Sequence, residues 1–356
     1  MHGSRAPLAV GIAGATGLVG QTMLQVLAER HFPLAALRLF ASARSAGQTV
    51  LVSGRPHVIE ELGSADPRGL DLVLFSAGAA VARTEAPRFA AAGALVVDNS
   101  SAFRLDPDIP LLIPEVNPDA VAGWTPALGR RIVAVPNCAA IAIILALKPL
   151  HDAAGLERVT VATYQSAAGA GKRGLAELEA ETRRALAGEA PGAHVFAHPI
   201  AFDVLPHIGS FGPDGETSEE AKIVAETQKI LGLPGLRLSA TAVRVPVRVG
   251  HSAAVWVETR SALAPDRARE VLASAPGVVV IDDPATASYP RSRVAAGTDA
   301  IYVGRIRRDP TVPHGLLLWV VGDNVRKGAA VNAVQIAEHV LHVGAGGAPA
   351  SAAVAR

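Results

Sequence analysis

The sequence predicts an α/β fold in two parts: a parallel sheet covered on both faces, then an antiparallel or mixed sheet with one exposed or partner-facing side. Three observations predict it. Over the first 150 residues, short continuous apolar runs alternate with helical spacers, the pattern of strands buried on both faces. A glycine-rich turn joins the first run to the first spacer. In the second half the runs lengthen and alternate polar with apolar residues.

The elements follow in order. "LAVGIAG" reads as a buried strand and "LVGQTMLQVLAER" as a helix closing in charge. "ALRLFAS", "DLVLFSAG" and "ALVVDNSS" are further buried strands. "IVAVPNCAAIAIILALKP" is a short apolar run, a Pro-Asn turn and an apolar helix opening at Cys138. "RVTVATYQSAAGAG" is a strand and turn; "KRGLAELEAETRRALAG" and "SEEAKIVAETQKILG" are amphipathic helices ending at glycine. "TAVRVPVRV", "HSAAVWVETR", "AIYVGRIRRD" and "GLLLWVVGD" read as long strands. "KGAAVNAVQIAEHVLHVG" is a last helix that returns to the first part, and "AGGAPASAAVAR" a disordered tail.

Composition excludes several classes. The 356 residues fit about two domains, and 50% apolar content supplies a large core. With 33 basic and 32 acidic residues the net charge is +1, without the basic stripe of a nucleic-acid or membrane-surface protein. No apolar run is long enough to span a bilayer. One cysteine forms no intramolecular disulfide, and the N-terminus lacks a signal-peptide layout; both fit the cytoplasm. No metal site is expected.

"VGIAGATGLVGQ" sets Gly11, Gly14, Gly17 and Gly20 between a strand and a helix. Glycines there permit a tight turn and bring main-chain N–H groups to a pyrophosphate at the helix N-terminus, the Rossmann arrangement. The spacing GxxGxxG is weak alone, and a ligand-free turn is the bland alternative. An NAD enzyme usually ends the second strand in an acid that accepts from the ribose hydroxyl. Here "LFASARSAG" carries Ser42, Arg44 and Ser45 instead, groups suited to a 2′-phosphate, so NADP is expected as cofactor.

Cys138 stands alone. A single cysteine is more often a small buried hydrophobe. At a helix N-terminus, however, the dipole favours a thiolate. A thiolate beside a nicotinamide suggests aldehyde oxidation through a thioester, or its reverse, and requires a base. Spacing alone does not choose that base among eleven histidines.

The blocks "GIAGATGLVG", "SARSAG", "LFSAG", "VVDNSSAFR", "PLLIPEVN", "VPNC", "TYQSAAGAG", "EEAKIVAETQKIL", "RVPVRVGHS" and "DNVRKGAAVNAVQIAE" occur in that order over nearly the whole chain. Together they resemble the aspartate-semialdehyde dehydrogenase family. The resemblance implies Cys138 as nucleophile, His251 as general acid/base and Gln165 as a substrate-positioning residue. It implies Arg244 for the substrate α-carboxylate, Glu219 for its ammonium, and Lys222 with Arg104, near Asn99, for the phosphate. Glu219 and Lys222 lie three apart on one helix face, which by itself reads as a surface ion pair. Gly14, Thr16, Gly17, Leu18, Val19, Ser42, Arg44, Ser45, Ala168, Gly169 and Asn324 fall at cofactor-contacting positions.

The activity implied is reversible NADPH-dependent reductive dephosphorylation of L-4-aspartyl phosphate to L-aspartate 4-semialdehyde through a cysteine thioester. It belongs to biosynthesis of lysine and diaminopimelate, methionine and threonine. The oxyanion would meet the Cys138 N–H and Asn137. The division expected is residues 1–137 for NADP, completed by a helix at about 326–344, 138–325 for catalysis and dimerisation, and a tail at 345–356. A homodimer is expected, with a tetramer left open. Ala139 and Ala140 replace a hydroxyl common after the cysteine, Ala253 a common acid, and Asp203 and His207 the usual Asn and Gln. Two other readings stand beside this one: N-acetyl-γ-glutamyl-phosphate reductase, whose substrate lacks an ammonium for Glu219, and a non-catalytic NADP-binding relative.

Overall fold

Continuous apolar runs form the interior strands of the first sheet in the computed structural model, which describes residues 6–125 and 130–342. Its strands are β1 (Leu8–Ala13), β2 (Leu34–Ala41), β3 (Thr49–Val52), β4 (Arg55–Glu61), β5 (Leu72–Phe75), β6 (Leu95–Asp98) and β7 (Ile132–Ala134). The order is β3-β4-β2-β1-β5-β6-β7. Every residue of β5 and β6 is buried, as a doubly covered strand requires. Strand order reverses beside β1, so the loops after β1 and β5 open a crevice at the C-terminal ends of the strands.

One edge departs from the parallel expectation. β3 and β4 form an antiparallel hairpin. Ser53 and Gly54 at its turn both have positive φ, 49° and 77°, as a two-residue hairpin turn matched to strand twist demands. Helices α1 (Leu18–Glu29) and α2 (Ala79–Ala91) pack on this sheet.

After β7 comes α3 (Cys138–Ala154), whose residues Ala139 to Leu147 are all buried. Apolar on every side, it is a core helix rather than a surface one. It packs against β10, β13 and the segment 326–330. The second sheet has the order β11-β12-β13-β10-β8-β9. Its strands are β8 (Leu156–Gln165), β9 (Arg237–Arg244), β10 (His251–Thr259), β11 (Val278–Val280), β12 (Ile301–Asp309) and β13 (Gly315–Gly322). β8–β9 and β11–β12 are parallel and the other pairs antiparallel, so the sheet is mixed. The remaining helices are α4 (Gly171–Leu186), α5 (Ser218–Leu231), α6 (Pro265–Ala273), α7 (Ser292–Ala295) and α8 (Val331–Leu341).

Two expected elements are redrawn. The strand expected over "TAVRVPVRV" starts earlier and stops at Arg244. Pro246 has no N–H for a ladder and restricts the residue before it. The last helix is not uniform: Arg326–Ala330 form a π-turn before α8 begins. α8 packs against α1, β5 and β6, so the chain does return to the first sheet. Residues 343–344 and the tail 345–356 lie outside the described residues. No helix among the described residues is long and apolar enough to cross a membrane.

Candidate active site

The glycine loop sits at the switch point. Gly14 has φ +86°, and a Cβ there would lie 2.2 Å from the Ser76 carbonyl oxygen after β5. A Cβ on Gly20 would lie 2.3 Å from the Gly14 oxygen. Only glycines let helix and strand approach this closely. Gly17 caps α1 with no side chain, so the first-turn N–H groups at Leu18 and Val19 stay available to an anion. Ser42, Arg44 and Ser45 follow β2 in a single 3₁₀ turn, with Ser42 and Arg44 exposed. This cradle fits a dinucleotide. Lys172 of α4 also reaches it, donating to the Thr16 carbonyl at 2.7 Å; sequence reading missed that contact, which joins segments 156 residues apart.

The thiol is where its sequence context put it. Asn137 caps α3, its Oδ1 accepting from the Ala139 and Ala140 N–H groups at 2.9 and 3.2 Å. That leaves the Cys138 N–H without an acceptor among the described residues. The Cys138 Sγ stands 3.4 Å from His251 Nε2. His251 opens β10, and Asn324, after β13, accepts from the Gly250 N–H at 2.9 Å.

Helix α5 brings the charged groups. A capping box between Thr217 and Glu220 fixes its start. Glu219, Lys222, Glu226 and Lys229 then fall along one stripe at helical spacing. Glu219 accepts from Asn137 Nδ2 at 2.9 Å and Gln165 Nε2 at 3.2 Å, and pairs with Lys222 at 3.6 Å. Arg104 is buried and spends three donors on Val135 O, Asn99 O and Glu226, at 2.9, 2.9 and 3.0 Å. The second carboxylate oxygen of Glu226 holds the Asn137 N–H at 2.5 Å. Glu226 therefore ties the helix cap to the arginine. Sequence reading missed it, although it lies seven residues beyond Glu219 on the same face. The Asn137 main-chain N–H and one hydrogen of its Nδ2 are thus engaged by carboxylates. Asn99 Nδ2 is buried with no partner among the described residues, a donor awaiting an acceptor.

Arg244, at the end of β9, donates to the Ser166 carbonyl at 2.7 Å. A Cβ on Gly169 would sit 2.6 Å from its guanidinium and 3.3 Å from the His251 ring, so glycine keeps the site open. Ala168 is buried in the same turn. A cavity of about 350 Å³ beside Arg244 is lined by Phe196, His207 and Ile208. His207, one of the departures, stacks on Phe211 at 4.3 Å. A separate depression of about 250 Å³, lined by Thr160, Trp256 and Asp309, lies away from the thiol on the outer side of the second sheet.

Electrostatics correct one expectation. The helix N-terminus was expected to lower the thiol pKa. Burial and the Glu219 carboxylate instead push Cys138 up to about 12, against Arg104, Arg244 and the Ala139 N–H. Burial and then Arg244 hold His251 well below its usual range. Each shift favours the uncharged form of its group. Glu219→Gln is expected to speed alkylation of Cys138 by about ten-fold at any pH below the thiol pKa, because it removes one like charge. An unchanged alkylation–pH curve would show that Glu219 does not govern the thiol.

The fold and this geometry define a class: a dinucleotide-binding α/β protein with a thiol–imidazole pair where α3 meets the second sheet. Models described as the semialdehyde dehydrogenase NAD binding domain and dimerisation domain match residues 9–124 and 147–327. Aspartate-semialdehyde dehydrogenase of Aquifex aeolicus is 48% identical, over 94% of this chain and 98% of that protein. The enzyme of Legionella pneumophila is 48% identical, over 93% and 95%. A crystal structure of aspartate semialdehyde dehydrogenase II complexed with ASA, from Vibrio cholerae, has a TM-score of 0.91 at 44% identity, covering 95% of this chain and 99% of that one. The chain belongs to the aspartate-semialdehyde dehydrogenase family. It is an oxidoreductase of amino-acid biosynthesis with an NAD(P)-binding domain, as the resemblance implied.

Proposed function

We propose that this chain reduces L-4-aspartyl phosphate to L-aspartate 4-semialdehyde, reversibly, through a thioester on Cys138, within the synthesis of lysine and diaminopimelate, methionine and threonine. The observation that carries the reading is the Cys138 Sγ to His251 Nε2 approach of 3.4 Å beside charged groups of the required signs. The substrate has a carboxylate, an ammonium and an acyl phosphate. Arg244, Glu219, and Lys222 with Arg104 supply one partner for each. Gln165 and Glu219 hold each other near the thiol.

Substrate ammonium at Glu219 offsets a charge that keeps the thiol protonated. Sγ then attacks the acyl carbon; the S–C bond forms, the C–O bond to phosphate breaks, and the thiol proton leaves with the phosphate. The Cys138 N–H is placed to stabilise the oxyanion. The loop at Gly14, Thr16, Gly17, Leu18 and Val19 would hold NADPH together with Ala168, Gly169 and Asn324, with Ser42, Arg44 and Ser45 suited to its 2′-phosphate, and the cofactor would supply the hydride. His251, charged by a proton from solvent, passes its Nε2 proton to the departing thiolate as the aldehyde is released.

The division into residues 1–137, with the C-terminal helix, and 138–325 belongs to this reading. So does a homodimer through the second domain, supported by Tyr164 and Trp256 exposed on its sheet. A cytoplasmic location completes it.

Purified protein given L-aspartate 4-semialdehyde, phosphate and NADP is expected to reduce NADP only when phosphate is present. kcat/KM should fall at least roughly 100-fold with N-acetylglutamate semialdehyde, which leaves Glu219 without its ammonium. Comparable turnover of the acetylated aldehyde would assign the sibling reaction, and no turnover with either would leave a nucleotide-binding relative.

A further inference from the structure

His251 has partners on both ring nitrogens, and the second set is not part of the mechanism above. Its Nδ1 lies 3.1 Å from the Ser166 main-chain N and 3.2 Å from the Ser166 Oγ. A main-chain N–H only donates, so in the neutral ring Nδ1 carries the lone pair and the proton sits on Nε2, facing Cys138. The Asn324 Oδ1 accepts from the Gly250 N–H at 2.9 Å, which fixes that atom as the amide oxygen. The Ser166 hydroxyl, also 2.9 Å from it, donates there and leaves its own lone pairs toward Nδ1.

A second proton on Nδ1 changes the requirement. The Ser166 N–H cannot accept it, and among the described residues Ser166 Oγ is the oxygen in reach. Ser166, His251 and Asn324 are all buried, so water does not substitute. Cys138 from α3 and Arg244 from β9 face the ring, and Glu219 from α5 acts on both of these.

We propose that Ser166 is the positioning residue of His251: its main-chain N–H holds the neutral ring with the proton on Nε2, and its hydroxyl, backed by Asn324, receives the Nδ1–H when the ring is charged. With the proton on Nε2 the neutral ring faces Cys138 as a donor, and behind the charged ring the neutral serine–amide pair stands where a triad has a carboxylate. It rests on the reading of His251 as acid/base. It also gives Asn324 a purpose beyond the cofactor.

The first measurement is 15N NMR of imidazole-labelled protein at neutral pH, with His251→Gln to assign the signal. An N–H resonance on Nε2 and a lone-pair resonance on Nδ1 are expected. The reverse tautomer, or an even mixture, overturns the proposal; no substrate is involved, so this result stands apart from the assigned reaction. Ser166→Ala keeps the main-chain N–H and removes the hydroxyl. In reduction of the acyl phosphate, where the charged ring is the acid, it should lower kcat by about ten-fold and move the base-side midpoint of kcat/KM down by about one pH unit, since the charged ring loses one hydrogen bond. KM for NADPH should hold, and Ser166→Thr should restore the profile. A parental rate and profile in a folded Ser166→Ala protein overturns the proposal; if that variant does not fold, the parent's tautomer still decides.

Discussion

Cys138→Ala is expected to lower phosphate-dependent NADP reduction by on the order of 10⁴- to 10⁶-fold, the range seen when a covalent nucleophile is removed. The substitution deletes one atom. Asn137 caps α3 through Ala139 and Ala140, not through Cys138, so the helix start survives. No second cysteine exists to take over. The glycine loop is carried by β1 and α1, so NADP affinity should match the parent. Initial rates with L-aspartate 4-semialdehyde, together with NADP titration by fluorescence, check both halves. A loss of less than ten-fold would remove Cys138 from the chemistry and with it the thioester.

Lys327→Ala is expected to destabilise the fold by about 3–5 kcal/mol, the cost of leaving a buried charge unpaired. Lys327 is fully buried in the π-turn before α8. Its Nζ donates to both Glu115 oxygens at 2.8 and 2.8 Å, to Gln335 at 2.7 Å and to Asn332 at 3.2 Å. Asn332 Nδ2 in turn donates to the Leu112 carbonyl at 3.0 Å. These contacts bolt the returning C-terminal segment to the loop at residues 112–117. Without the lysine, Glu115 loses its cation and keeps neutral donors such as the Gln335 amide, at 2.8 Å.

Burial alone would raise the Glu115 carboxyl; the Lys327 ammonium overrides it and leaves the pKa lowered. Burial lowers Lys327 in return, with Glu115 opposing. A carboxyl lowered in the folded state contributes stability that is complete above the ordinary carboxylate range and is lost as pH falls through the lowered value. Parental stability should therefore decline with acid. The pair Lys327→Met with Glu115→Leu should recover most of the loss and flatten this part of the pH dependence, since an apolar replacement of both partners is often neutral. Urea unfolding at several pH values checks this. If the single and double variants are equally unstable, the pair's charge is not what holds the segment.

Much of the site was legible in the sequence. The strand–glycine–helix run announced the cradle at Gly14, and the Pro-Asn turn before an apolar run announced a helix opening at Cys138. Both depend on contacts within a few residues. The hairpin β3–β4 was legible only at its Ser53–Gly54 turn, and the early end of β9 at Pro246. The pairing of Glu219 with Lys222 was visible as helical spacing. Its placement beside Gln165, 54 residues away, was not.

The sequence by itself determined the local elements, the covered parallel sheet, the alternating strands of the second sheet, and the residues bearing charge or a thiol. Backbone propensity, side-chain period and capping act over one or two turns, so a linear reading reaches them. Tertiary structure alone decided that Glu226 joins Arg104 and Asn137 across separations of 122 and 89 residues. It alone set Ser166 between His251 and Asn324, the latter 158 residues on. It also set the direction in which the thiol pKa moves. The helix dipole is a local effect that favours thiolate, whereas desolvation and the Glu219 charge arise from everything packed around Cys138, and in the folded protein they prevail.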